Sequence, residues 1–314
     1  MTAPRHRQRG VALITAMLAV AIVTVLAVDL TTRQHLDVQR TQNTLARDQA
    51  YFYALGVESW ALSMLVEKRQ ESDDAIDHIN EPWAQELTPP PFEGAQMRLR
   101  MEDLQGRFNV NSLVDEPGTD NEQAMEQFAR LLTGLEVEPA FVQAAADWID
   151  IAPDVRFPDG ADDDYYSRLD PPYRTANRPM VSASELRLVS GVEDDAWRAV
   201  APYVTALPET TPINVNTAPP EVLRSLASGL SLSGAESLAE DRPDDGWETV
   251  DEFLAHPAMA GQNIEQDRLS VGSDYFLLRS EVNLGRVTIR SESVLYRQGD
   301  SGGQVILRRQ GYFP

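Results

Sequence analysis

Gly10-Val-Ala-Leu-Ile-Thr-Ala-Met-Leu-Ala-Val-Ala-Ile-Val-Thr-Val-Leu-Ala-Val28 is one glycine followed by 18 residues without a charge. Its polar side chains, Thr15 and Thr24, carry hydroxyls that bond back to helix carbonyls. A run of this length meets the lower limit for crossing a hydrocarbon layer roughly 30 Å thick. Arg5, Arg7 and Arg9 precede it, and basic residues on a short flank hold that end in the cytoplasm. A cleaved secretory signal has a shorter apolar core and then a small-residue cleavage site. Here the run passes without a break into Asp29 and a helical pattern.

Beyond Asp29, Leu30, His35, Leu36, Val38, Leu45, Ala46, Tyr53, Ala54, Val57, Trp60, Ala61, Met64 and Leu65 recur near helical spacing. No Gly or Pro interrupts before Gly56, and Pro82 marks the limit. The pattern predicts one helix from Val11 to about Lys68, roughly 85 Å long at 1.5 Å per residue. Its first half suits lipid and its second half suits packing on a soluble domain. Basic residues, then Gly10, then an uninterrupted apolar helix resemble a type IV prepilin-like signal. That resemblance implies a prepilin peptidase cutting between Gly10 and Val11, with 1–10 as leader peptide and 11–30 as the transmembrane part. Most such subunits carry Glu at the fifth residue after the cut, where it meets a neighbour's N-terminal amine. In this chain that residue is Thr15. A subunit without this carboxylate suits the first place in a fibre, at the tip.

The 314 residues carry a formal net charge of −22. Such a surface repels nucleic acid and anionic lipid and attracts cations or basic protein partners. From Tyr275 onward the balance reverses, with Arg279, Arg286, Arg290, Arg297, Arg308 and Arg309 against Glu281, Glu292 and Asp300. The acidity therefore lies in the middle of the chain. There is no cysteine, which excludes disulfides, thiolate catalysis and Cys-ligated metals. Histidine occurs only at 6, 35, 78 and 256, which leaves little material for a catalytic triad or a His-rich metal site.

Residues 70–94 are acidic and Pro-rich, the pattern of a loop. Ala95 to Met101 alternates like a strand. Gln123 to Leu135, Pro139 to Ile149, Ser184 to Leu188 and Glu193 to Ala201 read as helices, and Pro208 to Pro212 as a boundary. Thr217 stands where it would cap a helix opening on Pro219, Pro220 and Glu221. Asn-Val-Asn occurs at Asn109 to Asn111 and again at Asn214 to Asn216, which suggests two related helical units. Tyr275–Val282, Arg286–Tyr296 and Gln304–Tyr312 are strand-like. Helices bracketed by strands predict an α+β fold: a long N-terminal helix, an antiparallel sheet and a large α-helical insert.

Phe108-Asn-Val-Asn-Ser-Leu, Asp147-Trp-Ile-Asp, Pro171-Pro-Tyr-Arg-Thr-Ala-Asn-Arg-Pro-Met, Ser184-Glu-Leu-Arg-Leu-Val and Ile213-Asn-Val-Asn-Thr-Ala-Pro-Pro-Glu-Val-Leu together resemble the K-type minor pseudopilins of type II secretion systems. The resemblance runs over nearly the whole chain. It implies a pilin-like α+β domain from 31–107 and 271–314, with an inserted α-helical domain at 108–270. It further implies a non-enzymatic subunit at the pseudopilus tip that initiates or caps assembly for protein export across the outer membrane. The partners implied are I-type and J-type minor pseudopilins, the major pseudopilin fibre, the prepilin peptidase and inner-membrane lipid. The expected placement is single-pass in the inner membrane, with the N-terminus cytoplasmic and the C-terminal domain periplasmic.

Between Trp148 and Tyr166, Asp150, Asp154, Asp159, Asp162, Asp163 and Asp164 crowd a Pro- and Gly-punctuated loop with Arg156 as its one base. Calcium takes six to eight oxygen ligands from carboxylates and carbonyls, and such a loop offers both. No His or Cys is near, so zinc and copper are poor candidates. The EF-hand spacing is missing. A solvated acidic loop is the competing reading, but Trp148, Phe157, Tyr165 and Tyr166 point to a folded one. The resemblance implies structural calcium in this insert. Members commonly show Trp-Ile-Asp-x-Asp, where this chain has Ala152 at the second Asp.

Two other function classes compete. Leu223-Arg-Ser-Leu and Gly246-Trp-Glu-Thr-Val-Asp-Glu-Phe-Leu resemble a helix-hairpin-helix, which in many proteins grips DNA phosphates. Between Thr217 and Leu254 only Arg224 and Arg242 oppose nine carboxylates, so nucleic acid is not the expected partner and a protein-contact or packing role is. As for catalysis, no acidic pair stands out for glycoside hydrolysis, and Ser182 and Ser184 have no His in a recognisable pattern.

Overall fold

The computed structural model describes residues 9–71, 76–87, 89, 92, 94–116, 118–152, 154–299 and 302–311. Helix α1, Arg9–Glu71, is continuous over 63 residues. Its threonines do not break it, because each hydroxyl bonds back along the helix: Thr24 Oγ1 to Val20 O and Thr31 Oγ1 to Ala27 O, both at 2.8 Å. In its C-terminal half Ala50, Ala54, Val57, Ala61 and Leu65 are buried, one face at spacings of three and four. Three alanines on that face let the helix axis lie close to the sheet.

Strand β1, Ala95–Asp103, follows a short 3-10 turn, Pro82–Ala84, that seats Trp83 in the core. The chain then leaves the sheet. A first unit holds β2 (Phe108–Asn109), β3 (Val114–Glu116), β4 (Thr119–Asp120), α2 (Glu122–Gly134), α3 (Phe141–Ile149), α4 (Asp163–Tyr166), α5 (Asp194–Val200) and β5 (Val204–Thr205). A second unit holds β6 (Ile213–Asn214), α6 (Pro220–Ser225), α7 (Leu232–Glu240), α8 (Val250–Leu254) and β7 (Leu269–Ser270). In each unit the first and last strands pair in parallel, β2 with β5 and β6 with β7. Phe108 stacks on Phe128 at 5.0 Å, and one continuous apolar core joins the two units.

The chain rejoins the sheet with β8 (Tyr275–Leu284), β9 (Val287–Arg297) and β10 (Gly303–Gln310). The strand order is β1-β8-β9-β10, antiparallel throughout. One face packs on α1 through Val57, Ala61, Leu65, Phe276, Leu278 and Leu295, with Trp83 edge-on to Phe276 at 5.1 Å. The other face carries Tyr275, Leu277 and Val294, closed by Leu104 and Leu207.

Buried charges tie the body together. Arg297 and Asp77, both fully buried, form an ion pair behind the sheet, and Lys68 Nζ lies 2.9 Å from Asp77 Oδ1. Asp103, where β1 ends, accepts from Gln105 N (2.8 Å), Asn214 Nδ2 (3.0 Å), Ser273 Oγ (2.6 Å) and Thr217 Oγ1 (2.5 Å). These bonds knit the sheet to the second unit.

Three local expectations change. Thr217 does not cap α6: Pro219 holds the N-cap position without a side-chain bond, and the Thr217 hydroxyl goes to buried Asp103 instead. Ser184 to Leu188 is helical but in the tighter 3-10 form, Ala183–Leu188, opened by a capping box between Ser182 and Glu185. The last strand ends at Gln310, and Tyr312 lies outside the described residues.

Candidate assembly surfaces and the acidic loop

The large apolar side chains from Val11 to Val28 are 52–68% exposed, and none of the other described residues covers them. Among the described residues α1 alone is long and apolar enough to cross a membrane. Thr15 Oγ1 lies 3.0 Å from both Val11 O and Ala12 O, so its hydroxyl is turned onto its own helix. Gly10 and Val11 lie within the first turn of α1, while Arg5 and Arg7 fall outside the described residues. Past the apolar run, Asp29 and Arg33 form an exposed ion pair one turn apart.

The acidic loop is organised around a side chain that the sequence shows only as its lone base. Asp150 is buried, and its Oδ1 accepts from Gly118 N (2.9 Å) and Ala152 N (3.0 Å). Asp150 Oδ2 lies 2.8 Å from Arg156 Nη2, and Asp147 Oδ1 lies 2.7 Å from Arg156 Nη1. Asp120, on β4, takes the remaining edge of the same guanidinium, with Arg156 Nε at 2.8 Å. Burial alone would raise the carboxyl of Asp150, but the amides of Ala152 and Gly118 and the Arg156 charge outweigh it and hold it below the usual range. For Asp147 burial wins, and its carboxyl is pushed up despite Arg156. Arg156, although desolvated, is held more firmly protonated by its three partners. Gly160 closes this clasp, because a Cβ there would stand 2.2 Å from Asp147 Oδ2 and 2.3 Å from Arg156 O.

The other candidate ligands lie apart from this clasp. Asp162 caps α4 by accepting from Asp163 N at 2.7 Å. Thr175 Oγ1 lies 3.0 Å from Asp162 Oδ1 and 2.9 Å from Asp163 Oδ1. Asp154, Asp159 and Asp164 are exposed. Among the described residues no group of three His, Cys, Asp or Glu faces a common point fit for a metal ion. The loop rests on an aromatic bed in which Trp148 meets Tyr166 at 5.3 Å and Tyr166 meets Tyr173 at 5.2 Å. Asp147 and Asp120 were outside the candidate set. Only the position of Asp147 in Asp147-Trp-Ile-Asp, three residues before Asp150 at about one helical turn, hinted at its place.

The repeated Asn-Val-Asn has one physical use in both copies. Asn111 Oδ1 accepts from Met180 N (2.8 Å), while its Nδ2 donates to Met180 O (2.9 Å) and Leu207 O (2.8 Å). Asn216 Oδ1 accepts from Trp247 N (2.7 Å), while its Nδ2 donates to Trp247 O (3.0 Å) and Val271 O (3.2 Å). Each amide reads both backbone groups of one distant residue and ties it to the segment after the closing parallel strand. Gly246 has φ +75°, and a Cβ there would sit 2.9 Å from Asn216 Cγ, so only glycine fits beside the second clamp.

Two segments match the family described as type II secretion system (T2SS), protein K: residues 106–209 and residues 213–272. Each segment contains one Asn-Val-Asn clamp. The chain is 37% identical to type II secretion system protein K of Pseudomonas aeruginosa over 98% of its own length and 94% of that protein's. The chain belongs to the type II secretion system protein K family. The Klebsiella pneumoniae protein K is 34% identical, with 98% of each chain covered. Among solved structures, a chain of the GspK-GspI-GspJ complex from enterotoxigenic Escherichia coli matches with a TM-score of 0.77 and 28% identity. That match covers 87% of this chain and all of the other. This member of the protein K family is accordingly a minor pseudopilin of the type II secretion system, with α1 as its candidate membrane anchor.

Proposed function

We propose that this pseudopilin is cut between Gly10 and Val11 by a prepilin peptidase. It then holds α1 in the inner membrane with its folded body in the periplasm. There it joins I-type and J-type minor pseudopilins and stands at the tip of the pseudopilus, where it starts or caps the fibre. One observation carries the reading: the apolar third of α1 stands free of the body, and Thr15 spends its only polar group on its own helix. A bare apolar rod must be covered by lipid or by equivalent rods. Without a carboxylate at Thr15 the rod has nothing to pair with the amine of a subunit already in the fibre. The solved neighbour, a chain of a ternary complex with GspI and GspJ, supports the same partner classes here.

In a strain lacking the subunit, Thr15→Glu is expected to lower secretion and alter fibre length. Unchanged secretion and fibre length would dissociate Thr15 from the tip role. N-terminal sequencing after co-expression with the peptidase should begin at Val11.

Calcium is proposed only for the outer part of the loop, around Asp154, Asp159, Asp162, Asp163 and Asp164. Asp147 and Asp150 do not fit it, because Arg156 already occupies the space between them. For the full chain in detergent, millimolar calcium should raise the melting midpoint above that in chelator, since a ligand of the native state stabilises it. Equal midpoints would remove calcium. The DNA-binding alternative finds both cations of the 217–254 stretch turned to backbone carbonyls: Arg224 Nη1 faces Gly134 O at 3.4 Å, and Arg242 Nη2 donates to Ala218 O at 2.9 Å.

A further inference from the structure

On the sheet face away from α1, a groove of about 650 Å³ separates β9 and β10 from the first unit of the insert. Val294 and Leu307 line it from the sheet, and Met180 and Val181 line it from the insert. The insert wall is held in place, because Asn111 bonds both backbone groups of Met180. Val181, next in the chain, is 52% exposed, and Ile306 on the opposite side is 38% exposed. Ile306 sits at the irregularity of β10, where Val305 pairs with Leu295 and Leu307 with Val294, so no residue of β9 stands opposite it. β10 is also the end strand of the sheet, and among the described residues no backbone hydrogen bond from another segment reaches its outer edge. Unpaired edge groups beside an apolar groove specify the shape of what covers them: a second extended backbone with apolar side chains.

Charge narrows the occupant further. β10 carries Arg308 and Arg309 and no acid. Arg308 is spent on buried Glu58, on the α1 side. Arg309 is held more loosely: it meets Glu292 at 3.6 Å and the Ser182 hydroxyl at 3.2 Å, and Glu292 is already engaged by Arg279 at 2.8 Å. Along this face Arg100, Arg107, Arg279 and Arg309 share the carboxylates of Glu102 and Glu292 alone, on a chain of net charge −22. A second copy of β10 would bring Arg309 no carboxylate. We infer that β10 accepts a fifth strand from a partner protein, antiparallel like the rest of the sheet, with apolar side chains in the groove and an Asp or Glu opposite Arg309. Since β10 runs from Gln304 toward Arg309, that acid stands at the N-terminal end of the added strand, on the same face as the groove-filling side chains.

Calorimetry on the full chain in detergent, titrated with acetyl-Glu-Thr-Val-Thr-Val-Thr-amide, tests the site. Wild type should bind this peptide. Val181→Asn, at an exposed position, should keep the melting midpoint and weaken binding about fivefold or more, by setting an unpaired amide against the valines. Arg309→Gln should weaken binding about two- to fivefold, the worth of a cross-strand ion pair, and leave the affinity for acetyl-Gln-Thr-Val-Thr-Val-Thr-amide unchanged. Two further peptides, N-methylated at both valines or at the first two threonines, keep every side chain and differ in which edge loses its donors. The one whose methyl groups face β10 should bind about tenfold more weakly than the other. Equal affinity of the two methylated peptides would overturn strand addition, as would no binding of the parent peptide at millimolar concentration. A concentration-dependent dimer in sedimentation that Val181→Asn dissolves would assign the edge to a second copy and overturn the proposal too. The tip reading makes no use of this groove and stands or falls separately.

Discussion

Arg156 shows how a single side chain changes the meaning of the residues around it. Three carboxylates converge on one guanidinium, two of them almost fully buried. Removing one partner of a buried ion pair leaves an uncompensated charge and costs about 3–5 kcal/mol. Arg156→Met is therefore expected to lower stability by about 3 kcal/mol, read as a fall in the melting midpoint. Adding Asp147→Asn and Asp150→Asn should restore part of the loss, and no recovery would show that Arg156 acts through packing alone. Asp103 makes a second prediction at this scale. Burial pushes its carboxyl up to about 6, although the hydrogen bonds from Ser273, Thr217 and the Gln105 amide partly oppose the rise. A folded-state value above the ordinary 3.8 means that the fold favours the protonated form. Its contribution is full below about 3.8 and is lost as pH rises through 6, roughly 3 kcal/mol in all. Asp77 works in the opposite sense: Arg297 and Lys68 overcome its burial and hold it below the ordinary range, so its contribution is lost on acidification. Comparing pH–stability curves of wild type and Asp103→Asn should show a difference that grows between pH 4 and 7. Parallel curves would mean that Asp103 keeps its ordinary value.

At the scale of elements, the two Asn-Val-Asn clamps do the work of a missing strand. Two-residue parallel pairs such as β2–β5 and β6–β7 are too short to stand alone. Asn111 and Asn216 supply the further backbone bonds that hold each unit closed. Asn216→Ala strips the N–H and C=O of Trp247 of their partner in a buried site, and each unsatisfied group costs about 1–3 kcal/mol. The expected result is a lower melting midpoint and faster amide exchange at Trp247. Unchanged protection there would show that the clamp is dispensable. Helix α1 makes a different prediction. Ala61 is fully buried in the face turned to the sheet, and Ala61→Leu forces extra volume into a filled space, at about 1–3 kcal/mol. The same substitution at exposed Ala27, in the apolar run, should leave the melting of the body unchanged.

At the scale of the whole molecule, one rod joins two environments. Its first third is uniformly apolar and uncovered, and its last third is amphipathic and sunk into a sheet. This division was legible from Val11 to Leu65, because an apolar run without charge and an apolar stripe at helical period each have one stable solution. The α+β order was legible too, as were the doubled asparagine motif and the resemblance to the protein K family. The arrangement of the acidic loop was not. Six aspartates close in sequence suggested one cation among them, yet three of the acceptors around Arg156 and Thr175, namely Asp120, Asp147 and Asp150, come from β4 and from the end of α3. Thr217 looked like a helix cap until Asp103, 114 positions away, claimed its hydroxyl.

Local periodicity and charge in the sequence thus determined the apolar rod and the succession of helices and strands along the chain, since neighbours along the chain settle those patterns, while the pairing of β1 with β8 joins segments far apart in sequence. Which charge neutralises which, and where a buried hydroxyl finds its partner, depended on contacts between distant segments. Only the tertiary structure decides these, because in a dry interior the energy of a polar group is set by what surrounds it in space.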